Sequence, residues 1–526
     1  MRKLLRWLDQ HILEVGVIAL FISIPLYPKL PLIDIPHTWV YIRLEDFLIA
    51  VVVGIWFIQL LRRKVSLKSP LTGPIFLYWT VGAISSVLAI YLYRGKLLAF
   101  FPHLIALHYL RRIEYMILFF VTVASISDWG TIKRYLVTLA GVTLVVIIYG
   151  FGQKFLGWPA FSTMNEEYAK GIALYLTPHA RVFSTFGGHY DLAAFLVLTL
   201  SLFISIFFFV PSLLLKVLLG ILCLASFGLL LLTVSRVSFV CYLLGATIVL
   251  FFLKNLSWLK KGVLWILIIG VSTASMFNMA EFNDRFFKTF RVNPARFGFF
   301  ERLPKFVLTT PSKQEEELMP ISDVALLPKE GTSLPKEEIL TTEGELLSEE
   351  PAHKKYWFPA LSPQPTLKPE VATTAARRKA TPSAVSSRPV IFDRSVSIRI
   401  YGSWPKAIAG FKRNPFLGTG YSSLGLATDN SFLRALGETG ILGLLAFLLI
   451  FYQLARLLLV WWKRSVSGLA RALVLGIVAG TAGLMLNATF IDVFEASKVA
   501  TVFWMLTAVL VAAIQLSSRK PAEKRL

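Results

Sequence analysis

The chain has 526 residues, 56% of them hydrophobic and only 16% charged, with a mean hydropathy of +0.65 and a formal net charge of +23. Its apolar runs reach about 18 residues or more, the length that spans a bilayer core, which excludes an ordinary soluble domain. Each span must satisfy its own backbone hydrogen bonds, so an open sheet at membrane depth is excluded as well. Much of the positive charge sits in short loops beside the spans, where it orients a membrane protein, and no nucleic-acid partner is expected.

In chain order the apolar runs predict twelve spans, at about 12–28, 46–60, 72–92, 113–128, 135–156, 191–210, 213–233, 237–253, 262–279, 439–461, 470–490 and 499–516. The expected fold is therefore all-α and polytopic, with one long external loop between the ninth and tenth helices. Lys96–Tyr109 carries Pro102, His103 and His108 and reads as an interfacial helix rather than a thirteenth span. The first span follows a basic end with no small-residue cleavage site, and reads as an uncleaved anchor. With twelve spans, the basic loops at Arg62-Arg63-Lys64, Lys254–Lys261 and Lys463–Arg471, and both termini, fall on one side. The positive-inside tendency makes that side the cytoplasm and turns the long loop outward.

Three sections follow: 1–279 with the first nine spans, 280–437 as the external loop, and 438–526 with the last three spans and a basic tail. Within the loop, 304–389 is rich in Pro, Glu, Lys, Ser and Thr, and 12 of the chain's 31 acidic residues lie between Glu315 and Glu370. Such a block buries too little apolar surface to offset its ordering entropy, and reads as a disordered insert between ordered ends.

Four polar constellations punctuate the apolar text. They are Arg181 to Asp191 before the sixth span, Thr233-Val234-Ser235-Arg236 between the seventh and eighth, Arg399 to Trp404 after the insert, and Thr428 to Gly443 leading into the tenth. Two spans separate each from the next, except the last pair, which shares a loop, so all four face one side. Arg181, Arg236 and Arg399 are permanent cations whose forks match phosphate oxygens. The alternative for each is a guanidinium that snorkels to headgroups or caps a helix. Asp429 and Asn430 suit a helix start; the functional reading makes Asp429 a base or acceptor for a hydroxyl and Asn430 a substrate ligand. Glu438, His189, Asp191 and the pair Arg111-Arg112 are further candidates for the site. Cys223 and Cys241 lie within apolar runs and form no framework, and no metal-ligand or nucleotide motif occurs.

The text Thr233-Val234-Ser235-Arg236, Arg399…Trp404, Asn414-Pro415-Phe416-Leu417-Gly418-Thr419-Gly420 and Asp429-Asn430-Ser431…Glu438-Thr439-Gly440 resembles the O-antigen ligase and polymerase superfamily of bacterial envelope enzymes. The likeness covers roughly Arg181 to Phe447, without the insert. It implies a metal-independent, inverting glycosyltransferase of the GT-C type, with no cofactor, in the inner membrane with its site facing outward. The implied donor is a glycan on undecaprenyl pyrophosphate, and the implied acceptor is a hydroxyl on a glycan, lipid or protein. Arg236 and Arg399 would hold the pyrophosphate and Asp429 would act on the hydroxyl. Lipopolysaccharide ligases usually carry His-Asn or His-Ser where this chain has Asp429-Asn430, so ligase and polymerase both remain open. A transporter of lipid-linked sugars is the competing class, although transporters usually gather ionisable groups near the midplane.

Overall fold

The computed structural model describes residues 2–93, 101–177, 180–253, 256–278, 398–425, 428–463 and 468–518, with the dipeptide Leu347–Ser348. The remainder of the predicted insert 304–389 lies outside the described residues. Thirteen helices of ten residues or more run through the described chain: α1 Arg2–Leu26, α2 Leu44–Leu61, α3 Thr72–Tyr93, α4 Pro102–Ser125, α5 Trp129–Phe155, α6 His189–Phe209, α7 Leu213–Leu232, α8 Arg236–Phe252, α9 Trp258–Asn278, α10 Trp404–Arg413, α11 Ser431–Trp462, α12 Leu469–Asn487 and α13 Ser497–Ser518. Among the described residues the only strands are Tyr175–Leu176 and Leu347–Ser348, paired antiparallel.

Nine of these helices, α2, α3, α5, α6, α7, α9, α11, α12 and α13, are long and apolar enough to cross a membrane. They mark an all-α integral membrane protein. The expectation of twelve spans is not matched by this count, for physical reasons that differ among the other three. α8 has 17 residues, about 25 Å of helix against a hydrocarbon core of about 30 Å. α1 offers an apolar stretch only over His11–Leu26. α4 is diluted by Arg111, Arg112 and Glu114 within a single helix.

That single helix also corrects the separate interfacial element and the span at 113–128. The chain is continuous from Pro102 to Ser125 because each of the three charges meets a partner, so none has to leave the helix. Similarly, α11 begins at Ser431, eight residues before the expected 439, because Asn430 caps it: its side chain accepts a hydrogen bond from the Leu433 amide at 2.9 Å.

α6 and α13 are the most enclosed helices and form the centre of the bundle. α12 packs against α6 and α8, α13 against α4, and α11 against α3. Close approach follows from small residues on α12. A Cβ at Gly476 would fall 2.7 Å from Leu202 Cα, and one at Gly480 would fall 3.0 Å from the Leu198 carbonyl. The hydroxyl of Ser205 bonds the Ala472 carbonyl at 2.6 Å across the same seam.

α11 is broken at Gly440, whose φ of +67° is left-handed. The break has a specific filler. The amide of Thr419 bonds the Gly437 carbonyl at 3.0 Å and that of Gly420 bonds the Glu438 carbonyl at 2.8 Å. On the far side of the break, the amides of Ile441 and Leu442 donate to the carbonyls of Pro415 and Phe416. The segment Pro415–Gly420 thus supplies the backbone partners that the helix gives up, as membrane-embedded backbone requires. Its glycines are needed for this contact, since a Cβ on Gly418 would overlap the Glu438 backbone and one on Gly440 the Phe416 backbone.

Candidate functional site

The site is assembled by the connection between α12 and α13. The carbonyls of Ala488 and Thr489 receive the Ser431 amide and the Asn430 side-chain amide, the latter at 2.8 Å. Asn487 donates to Ser238 of α8 at 3.0 Å, Asp492 accepts from Arg434 at 2.5 Å, and Glu495 pairs with Arg112 of α4. At the start of α13, the buried Lys498 ammonium donates to the carbonyls of Pro25, Tyr27 and Thr185, at 3.0, 2.6 and 2.7 Å. Three donors meet three acceptors, so this charge is a pin and not an open ligand.

Around that pin lies a chamber of about 290 Å³ lined by, among others, Lys29, Arg43, Asp191, Asp429, Arg434 and Asp492. Next to it is a larger apolar groove of about 490 Å³ between α2 and α4, with Ile49, Val53, Leu104 and Leu107 in its walls. The two spaces share Val40, Arg111, Tyr115, Arg434 and Glu495, and so adjoin across these residues.

Of the predicted residues, Asp429 and Arg399 meet directly: Arg399 Nε lies 2.9 Å from Asp429 Oδ2. The carboxylate is turned to the chamber, while the neighbouring Asn430 does the capping. Burial raises the Asp429 pKa above the ordinary carboxylate value; the Arg399 guanidinium pulls it back and the Asp492 carboxylate adds to the rise. Arg399 also stands over the Tyr190 ring, 5.7 Å from its centroid. Tyr190 in turn contacts His189, with centroids 3.9 Å apart, and His189 Nε2 lies 2.7 Å from Arg181 Nη1. A guanidinium only donates, so Nε2 is the acceptor of that bond. Arg181, His189, Arg399 and Asp429 are therefore one connected set, and the fields of both arginines act on the imidazole.

Arg181, His189, Arg236 and Arg399 do not themselves line the chamber; Tyr190 and Asp429 do. Arg236 opens α8, and its turn meets the Arg181 segment through backbone, where the Val182 amide donates to the Leu232 carbonyl at 3.1 Å. Asn430, expected to bind substrate, has its side chain committed at both ends, to Leu433 and to Thr489. Glu438 is 1% exposed and faces Arg434 at 3.1 Å and Arg112 at 3.8 Å, while accepting the Ser422 amide. Arg111 pairs with Asp46 at 2.7 Å and Glu114 at 3.1 Å. These residues build the wall; their charges are met by protein.

Sequence reading missed Asp492, Glu495, Arg434, Lys29, Arg43 and Lys498. The available signal was their cost: an ionisable side chain at the edge of an apolar run needs a partner or a ligand. Arg434 and Glu438 also sit one turn apart on α11, the spacing of a helical ion pair. Burial, with Arg43 nearby, draws the Lys29 ammonium down to about 8. Among the described residues, no three of His, Cys, Asp and Glu gather closely enough to hold a metal ion.

No protein-family model matches the chain, and no curated protein matches its sequence.

Proposed function

We propose that the protein is a membrane glycosyltransferase that moves a glycan from an undecaprenyl-pyrophosphate carrier to an acceptor hydroxyl. The observation that carries this reading is the Asp429 carboxylate at the wall of a charged chamber, paired with Arg399 and beside an adjoining apolar groove. A carboxylate of raised pKa beside a permanent cation suits a displacement in which a proton and a dianionic leaving group separate. In this scheme the acceptor oxygen bonds to the anomeric carbon as its proton passes to Asp429. The bond from that carbon to the diphosphate oxygen breaks, and its electron pair leaves with the diphosphate beside Arg399 and Arg181. Attack opposite the leaving group inverts the sugar carbon. Arg399 is buried, so its guanidinium charge is felt more strongly than in bulk solvent.

The finer topology belongs to the same proposal. All twelve long helices other than α10 cross an inner membrane, the shorter α1 and α8 with local thinning, and the termini lie in the cytoplasm. The chamber and the 280–437 section face outward, where undecaprenyl-linked glycans are presented. Ligase and polymerase are the two forms of this chemistry, and they differ in the acceptor.

The test is the pool of undecaprenyl-pyrophosphate-linked glycan in the native host, measured by mass spectrometry after deletion of the gene. The expected result is accumulation, as single repeats for a polymerase and as full-length chains for a ligase. Complementation by the wild-type protein returns the pool to its starting level. A pool unchanged by the deletion overturns the reading.

A further inference from the structure

Arg43, the residue that precedes α2, is 4% exposed and lines the chamber, yet its Nε has no hydrogen-bond partner. Among the described residues its guanidinium makes no ion pair, although Glu45 and Asp46 follow it closely in sequence. Asp46 is engaged by Arg111, and Glu45 lies off the chamber wall. Lys29 lines the same wall, is 6% exposed, and spends one of its three donors on Ser497 Oγ at 2.9 Å. Two carboxylates, the buried Glu45 and Asp191 on the chamber wall, act on this corner through their fields, with an ion pair to neither cation. Arg43 and Lys29 thus keep donors that no acceptor among the described residues fills. A buried donor without an acceptor is expensive, and a protein retains it where a ligand completes it.

The groove supplies the second half of the argument. Ile42, next to Arg43, is part of the groove wall, and α2 carries Ile49 and Val53 along it. Arg43 thus stands one residue from the groove and on the chamber wall, and Lys29 lies on the same chamber wall. We propose that Arg43 and Lys29 form a second oxyanion subsite of the chamber, distinct from Arg399 and Arg181, that takes the phosphate headgroup of a lipid whose chain lies in the α2–α4 groove. In the transfer reaction, and resting on that reading, this lipid is the acceptor, with the donor phosphate at Arg399 beside Asp429 and the acceptor phosphate at Arg43. The subsite itself needs no transfer to exist.

The test is thermal unfolding of the full-length protein purified in detergent, with farnesyl phosphate, farnesol or inorganic phosphate added. Farnesyl phosphate is expected to raise the midpoint of the wild type by about 2 °C or more at saturation. The shift is lost in Arg43→Met and in Lys29→Met and kept in Arg399→Met. Farnesol and inorganic phosphate, each carrying half of the ligand, give smaller shifts. The proposal is overturned if farnesyl phosphate gives no shift, if Arg43→Met and Lys29→Met keep it, or if farnesol or inorganic phosphate alone reproduces it. Loss of this shift pattern with intact glycan transfer would remove the subsite alone, whereas binding without transfer would remove the transferase reading alone.

Discussion

Asp429 and Asn430 are adjacent in sequence and divide two tasks between them. The amide side chain bonds the first turn of α11 and the Thr489 carbonyl, and that fixes where the carboxylate next to it can point. Asp429 is left against Arg399, about 30% exposed, on the chamber wall. A carboxylate works as a base only when ionised, so activity is expected to fall as pH drops through its raised pKa. Arg399 opposes that rise, and replacing it by methionine removes the opposition. The acid limb of the pH–rate profile is therefore expected to move to higher pH in Arg399→Met, by about one unit, with a rate loss of about 10²- to 10³-fold. Arg399→Lys, which keeps a charge without the fork, restores part of the limb's position. An acid limb that stays in place would remove the coupling between these two residues.

At the scale of elements, the glycine-rich text before α11 has a different cause from the one its sequence suggests. Gly418, Thr419, Gly420 and Gly440 are where two backbones splice across a broken helix, and Ser85 of α3 adds bonds to the Leu417 and Glu438 carbonyls at 2.6 and 3.0 Å. The splice holds Glu438 and Arg434 in register behind the chamber. Gly418→Ala is expected to lower the midpoint of thermal unfolding far more than Gly425→Ala. Both residues have positive φ, but a methyl at Gly418 strikes the Glu438 backbone, whereas nothing lies within 4 Å of one at Gly425. The strain common to both is about 1–3 kcal/mol. Equal losses would mean that the contact between the two backbones contributes little.

The apolar runs and the polar stretch from Arg181 to Asp191 were legible in sequence, because hydropathy reports both; the bond between Arg181 and His189 was not foreseen. The wall was not. Asp492 acts on Ser431, Arg434 and Asp429, residues about sixty positions away, and no periodicity links them. Arg111 and Arg112 were read as site candidates because Asp46 on α2 and Glu495 after α12, which pair with them, are remote in the chain; only Glu114, three residues from Arg111, was a near partner.

For the molecule as a whole, the proposed function rests on two adjoining compartments. A bundle centred on α6 and α13 leaves a charged chamber beside the α2–α4 groove, and the α12–α13 connection contributes to its walls. In the proposed reaction, the groove takes a lipid's chain and the chamber takes its phosphate. Many of the buried ionisable groups among the described residues are paired, which is how an apolar chain tolerates them. The most direct test is reconstitution. Purified protein is placed in vesicles made from the lipid extract of a deletion strain, which carries the natural donor, and release of undecaprenyl pyrophosphate is followed with EDTA present. The account predicts release by the wild type and loss of about 10²-fold or more in Arg399→Met. Release at the wild-type rate by Arg399→Met, or none by the wild type itself, would contradict it.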